Sequence, residues 1–420
     1  MEKDIYKTSR FLYVLEAAFE YFINILLGGA YIAKVTTSLG MNDGLTGIIT
    51  SIVSLASTFQ IVAIFLAKRK PVKRWVTLFH TINQLFFASV YLVPFFNFSV
   101  TAKMVLFIVF FLLGHIINQI INAPKINWFM SLVDDKKRGS FTATKEMVSL
   151  LGGMTFTFII GSVMDHYETV GNNVGAFIFC SLGIFALTAL HTCTLIFSKE
   201  KSLGEATVIE NKQPIMELLK NKNLLKVIFI SSLWQMATYM TTPFYGTYQI
   251  KELGFTMTFI SVLSIIFSLS RVAVSKVVGK FADKSYVGVL KFCFTFGFLC
   301  LFIQIFTVPA NGKVFYIIYY VLYAVAMSGI DNCEMNLVYG LVNEQERVGA
   351  LALRMTIKGL TGFLTTLAIS PLVNYIQANG NKFFGFNVYA QQVVSALGAI
   401  VVLIALIYLC LNKDLEKQKS

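Results

Sequence analysis

Acids, bases and amides recur at helical spacing inside stretches that are otherwise apolar. Glu16, Glu20 and Asn24 follow one another at steps of four, which places them on one helix face. His115, Asn118, Asn122 and Lys125 repeat at steps of three and four, with Gln119 beside them. Trp234, Gln235, Thr238, Thr241, Thr242, Tyr245, Tyr248 and Gln249 form a third stripe, with Tyr239 next to it. Tyr320, Tyr323, Met327, Asp331 and Glu334 form a fourth. Arg271 and Lys358 add two bases within apolar runs. At 1.5 Å per residue, Glu20 and Asn122 lie roughly 15 Å from one end of their runs, and Glu16 and Lys125 roughly 10 Å. Asp331, Arg271 and Lys358 come out at comparable depth, with Glu334 nearer that end. A charge at a bilayer centre costs about 2.5–3.5 kcal/mol, so such groups pair or face water. Depth alone predicts that Glu16 or Glu20 pairs with Lys125, and that Asp331 or Glu334 pairs with Arg271 or Lys358.

Paired charges that only brace helices are the plain reading of these stripes. The sharper reading is that at least one acid binds a proton or a substrate cation. Glu20 is the first candidate, because it is deep and has Glu16 one turn away; a carboxyl so placed can exchange a proton as access changes. Glu16, Asp331 and Glu334 are the other coupling candidates. Asn24, His115, Asn118, Asn122, Lys125, Trp234, Gln235, Thr238, Tyr239, Tyr245, Tyr323, Met327, Arg271 and Lys358 are candidates for a solute cavity. Packing competes with that role for His115 and for the aromatic residues. His80 and His191 stand alone in the sequence and support no metal site.

The elements that carry these stripes are membrane helices. The chain has 420 residues, 56% hydrophobic and only 14% charged, with a mean hydropathy of +0.69. A soluble protein carries about 25% charged residues. The apolar runs exceed the ~10 residues of a barrel strand. Twelve spans are expected at 10–38, 45–67, 74–96, 103–132, 141–164, 174–198, 223–250, 256–278, 286–308, 313–341, 348–376 and 387–411. A polar segment, 199–222, separates a six-helix bundle at 1–198 from another at 223–420, with a short surface helix expected after Pro214. The six cysteines lie in apolar runs without a CxxC pair, so neither a disulfide framework nor a metal site is indicated. The first apolar run is too long for a cleaved signal and carries Glu16 and Glu20.

The two bundles read as a duplication. Leu132–Arg138 (LVDDKKR) matches Leu341–Arg347 (LVNEQER), and in that register Asn122 falls on Asp331 and Lys125 on Glu334. Tyr31–Lys34 matches Tyr248–Lys251, Leu39-Gly40 matches Leu253-Gly254, and Gly161–Asp165 matches Ser370–Asn374. Parallel six-helix repeats are a transporter architecture. The net charge of +13 follows from topology rather than from nucleic-acid binding. With both termini on one side, that side receives nearly all Lys and Arg. Only Lys34, Lys103, Lys251, Lys313 and Lys382 fall on the other, while Lys125 and Arg271 lie within spans. This bias puts both termini and the linker in the cytoplasm, and the plasma membrane is the expected location.

Over essentially its whole length the chain resembles the major facilitator superfamily. The loop Gly279-Lys280-Phe281-Ala282-Asp283-Lys284 is similar to that family's pattern of Gly, three residues, an acid and a base. The matching loop after span 2 keeps the basic tail, including Lys68 and Arg69, but has Ile64 where Gly is expected and Lys68 where the acid is expected. The resemblance implies that Gly279, Asp283, Lys284, Lys68 and Arg69 help lock one access state, Asp283 foremost, against the start of span 5. It also implies that spans 1, 4, 7 and 10 line the solute path, the same spans that carry the polar stripes. Span 5 lacks the Gly-Pro signature common in the family's proton antiporters, which counts against drug export.

The function expected is secondary active transport of a small organic solute by alternating access, driven by H+ or Na+, by a monomer in the bilayer. Efflux of drugs or toxic cations is the alternative within transport. The absence of a Walker spacing argues against ATP-driven transport by this chain, and no cofactor is indicated. A membrane-embedded enzyme would gather its catalytic groups at one interface, whereas the charges here are spread over both halves. A non-transporting receptor of this architecture would carry a large cytoplasmic domain.

Overall fold

The computed structural model describes residues 5–60, 62, 71–134, 137–201, 215–282, 284–343 and 346–415. Its helices make up the twelve spans of a helical membrane protein, in two pseudo-symmetric halves of six. In the first half they are Lys7–Leu26 with Gly29–Ser38, Asp43–Ser57, Lys73–Val90, Val100–Met130, Arg138–Thr169 and Asn173–Phe197. In the second half they are Lys222–Thr247, Met257–Ala282, Tyr286–Gln304, Gly312–Met327 with Ile330–Leu341, Arg347–Ala378 and Ala390–Leu411. Among the described residues eight helices are long and apolar enough to cross a bilayer, or nine when the bent pair in span 1 counts as one. Lys73–Val90 is not among them, because it spends its length on Lys73, Arg74, His80, Asn83 and Gln84. The short helix after Pro214 is present as Ile215–Leu218.

Local sequence explains where the spans begin and break. Asn42, Ser99, Asn172, Asn221 and Ser285 each accept a backbone N–H from three residues on, starting spans 2, 4, 6, 7 and 9. Span 1, expected as one run, bends by 46° between its two helices. Gly29 makes that bend with φ +51°, a conformation open to glycine. The Tyr91 hydroxyl donates to the Leu26 carbonyl at the break, at 2.6 Å. Span 10 is likewise interrupted between Met327 and Ile330. A two-stranded hairpin, Lys382–Phe383 with Phe386–Asn387, joins spans 11 and 12.

By packing, the chain divides into two compact units. One holds Met1–Met41, Phe59–Val208 and Thr256–Ser261; the other holds Asn42–Thr58, Ile209–Phe255 and Val262–Ser420. Asn42–Thr58, the first part of span 2, lies in the second unit, and Thr256–Ser261, the first turn of span 8, lies in the first. The matched positions Asp165 and Asn374 hold those pieces. Within the first unit the Asp165 carboxylate accepts from the Met257 and Thr258 N–H groups at 2.7 and 2.8 Å. Within the second, the Asn374 side chain accepts from the Gly44 N–H at 3.0 Å. Both cap the start of a helix. The first unit has a core of Tyr13, Val76, Trp128, Phe129, Leu132 and Leu195. The second has one of Phe244, Val373, Ile376, Ala390 and Val394.

Candidate functional site

Each unit buries a cluster of charge. In the first unit, spans 1, 3, 4 and 6 bring Glu16, Glu20, His80, Lys125 and His191 together. Lys125 is 2% exposed and sits at the centre. Its ammonium has three N–H donors and meets three acceptors: Glu16 Oε1 at 2.8 Å, Glu20 Oε2 at 2.5 Å and His80 Nε2 at 2.9 Å. Because an ammonium only donates, His80 Nε2 carries the lone pair. The His80 proton is then on Nδ1, which donates to Asn83 Oδ1 at 3.0 Å. The same Glu16 oxygen has His191 Nε2 3.0 Å away; a carboxylate only accepts, so this nitrogen donates. The two imidazole rings meet edge to face with centroids 4.1 Å apart. Glu16, His80 and His191 are fully buried, whereas the Glu20 side chain keeps 17% of its surface exposed.

The expectation that His80 and His191 stand alone is therefore corrected. They lie far apart in sequence, and only the packing of span 3 on span 6 joins them. Donor atoms of Glu16, His80 and His191 fall within 4.8 Å of one another. Two of those atoms, Glu16 Oε1 and His80 Nε2, are hydrogen-bonded by the Lys125 ammonium.

The second unit holds Asp331, Glu334, Arg354 and Lys358. Arg354 bonds Glu334 and, through Nε, the Ser231 hydroxyl at 3.0 Å. Lys358 bonds Asp331 at 2.6 Å and lies 3.8 Å from Glu334. Glu334 is fully buried, while Asp331 is half exposed. Of the two bases expected there, Arg271 and Lys358, it is Lys358 that pairs with Asp331; Arg271 is exposed and forms no ion pair with either acid among the described residues. Arg354, counted above with the cytoplasmic charge, is the partner of Glu334.

The other candidates are distributed. His115 is buried between Phe87 and Phe111, with ring centroids 4.8 and 4.4 Å away. Asn118 and Asn122 are half-buried and Asn24 is exposed. Trp234 is buried against Phe294, and Gly297 leaves room for its ring. Gln235 donates to Ser54 at 3.0 Å, and Thr238 bonds back to its own helix. Tyr239 and Met327 are half-buried. Tyr245 bonds Ser395 at 2.8 Å and abuts Tyr316 and Tyr319, while Tyr323 stacks on Tyr319 and Phe267. Gly279 and Lys284 are exposed at the end of span 8; Asp283, Lys68 and Arg69 lie outside the described residues.

Two six-helix halves of membrane helices, each with buried charge, define the class of a helical membrane transporter. Residues 12–366 match the sequence profile of the Major Facilitator Superfamily, and the chain belongs to that family of transporters. No curated protein matches it by sequence. Solved structures share the fold at low identity. The nucleoside transporter NupG, in a mutant form, matches with TM-score 0.72 and 14% identity, over 95% of this chain and 99% of its own. A bacterial homolog of the human lysosomal transporter Spinster gives 0.71 and 11%, over 97% and 96%. A D-xylose-proton symporter gives 0.71 and 12%, over 95% and 96%.

Proposed function

We propose that the chain is a secondary active transporter that moves a small organic solute by alternating access, driven by a proton gradient. It works in the plasma membrane with both termini in the cytoplasm. The observation that carries this reading is the buried cluster around Lys125. Two carboxylates share one ammonium there, and one of them, Glu20, keeps exposed surface through which a proton can enter and leave. A purely structural ion pair needs one acid and one base; the second acid and the His191 imidazole are proton-binding capacity beyond bracing. Asp331 and Glu334, matched one to one by Lys358 and Arg354, are the weaker coupling candidates. That a structural neighbour is a proton symporter is consistent with this assignment.

The test is solute-dependent proton flux in proteoliposomes loaded with a pH indicator. Uridine and D-xylose serve as probes, taken from the nucleoside and D-xylose transporters among the structural neighbours, with dialanine as a zwitterionic third. Proton entry on adding at least one probe, stopped by a protonophore and indifferent to sodium, is the expected result. Flux that follows a sodium gradient would replace the proton as driver.

A further inference from the structure

The charge of the cluster in the first unit does not balance. Two carboxylates, Glu16 and Glu20, face one ammonium, Lys125; the bonding pattern makes His80 neutral, and His191 needs only its Nε2 proton to make its one hydrogen bond. One negative charge is left over in a place where only Glu20 has exposed surface. The cluster in the second unit, two acids against Arg354 and Lys358, is neutral. Only the first cluster therefore gains by taking up one more positive charge.

Geometry limits where a proton can go. Lys125 already donates to His80 Nε2, and His80 Nδ1 already donates to Asn83, so His80 is saturated. His191 is different. Its Nε2 donates to Glu16, and its Nδ1 is buried with no hydrogen-bond partner. Glu16 Oε2 is also buried and unpartnered. A proton added at Nδ1 would turn His191 into an imidazolium already bonded to Glu16, making that bond charge-assisted and cancelling the excess charge. The ionisable groups facing His191 are Glu16 with Glu20 behind it from span 1, His80 from span 3 and Lys125 from span 4. Span 5, which also packs on span 6, brings no ionisable group into the cluster among the described residues.

We propose that His191 is the residue that holds the transported proton, at Nδ1 and in ion pair with Glu16, and that Glu20 serves as the exposed end through which the proton passes. One proton is taken from one aqueous phase and the same proton is released to the other, with no bond to the solute. This rests on the proton-driven reading above and names its store.

The test has two arms. In the first, 15N-histidine-labelled protein in lipid nanodiscs is followed by NMR across the pH range in which it stays folded. Its four histidines are few enough for the His80 and His191 signals to be assigned with H80Q and H191Q. The His191 signal is expected to pass from a neutral ring with one bare nitrogen to an imidazolium as pH falls. In E16Q the imidazolium-to-neutral ratio at a given pH should drop about tenfold or more, since one unit of proton affinity is a factor of ten. A His191 ring that stays neutral throughout, or one that titrates identically in E16Q, overturns the proposal. In the second arm, H191Q in proteoliposomes should lose accumulation of the probe that wild type concentrates under a pH gradient while keeping exchange of that probe. Full accumulation by H191Q overturns the proposal and leaves proton-driven transport standing. If wild type concentrates no probe under a pH gradient, proton coupling fails, and the spectra still decide whether His191 is a proton site.

Discussion

Lys125 shows what a buried charge demands of its neighbours. Removing it strands Glu16 and Glu20 with no cation, and breaking a buried pair typically costs 3–5 kcal/mol. Lys125→Ala should therefore lower folded yield and melting temperature sharply. Adding Glu16→Gln should restore part of both, because Glu16 is the acid with no exposed surface. Purely additive losses on a thermal unfolding assay would contradict the pairing. The same logic applies to Arg354 and Glu334: Arg354→Leu alone should destabilise more than Arg354→Leu with Glu334→Leu, measured the same way. Several of these residues were visible in sequence. The spacing of Glu16 and Glu20 and the isolation of Lys125 in an apolar helix mark them as groups that must find partners. Which partner each finds depends on which helices are neighbours, and periodicity along one helix carries no such information. That is why the Lys358–Asp331 pair was among those expected while Arg354 as the partner of Glu334 was not, and why the two histidines read as solitary. The signal that could have raised His80 is its own helix face, where Gln84 follows one turn on and Asn83 sits beside it.

Between helices the contacts are close and depend on small residues. A Cβ on Gly359 would lie 2.6 Å from the Ser54 carbonyl oxygen, a backbone atom that yields only if the helix moves. Gly359→Leu should therefore cost about 1–3 kcal/mol, or separate spans 2 and 11, read as a lower melting temperature in detergent. Gly161 meets the Met257 carbonyl in the same way at 2.8 Å. The Asp165 cap makes a graded prediction: Asp165→Ala should cost about 1 kcal/mol and Asp165→Asn less, because an amide oxygen can still accept one of the two N–H groups. Equal losses for both would show that charge, not capping, is the contribution. The match of Gly161–Asp165 to Ser370–Asn374 could be read from sequence, and both ends of that repeat cap helices here. The break in span 1 could not be placed, since a Gly-Gly pair in an apolar run is compatible with a continuous span. What fixes it is the Tyr91 hydroxyl, which arrives from span 3.

At the scale of the whole molecule the apolar pattern and the charge asymmetry carry most of the architecture. Twelve spans in two related halves follow from them, and the family match agrees. Orientation is a prediction from the Lys and Arg bias. Single cysteines at Ser202 and Ser420, in a cysteine-free background, should resist an impermeant thiol reagent outside intact cells, and strong labelling of either would reverse the topology. Asp283 is proposed to bias the access equilibrium. Asp283→Asn should slow transport while sparing solute binding, and unchanged transport would reduce that loop to a turn. Protons passing through the cluster around Lys125 are proposed to drive the transport. The most direct measurement is accumulation by Glu20→Gln in proteoliposomes under an imposed pH gradient, normalised to folded protein, using a probe that wild type concentrates. The amide keeps the size and hydrogen bonding of the acid but cannot carry its proton. The account predicts that accumulation is abolished while exchange down a solute gradient persists; wild-type accumulation by the variant would contradict it.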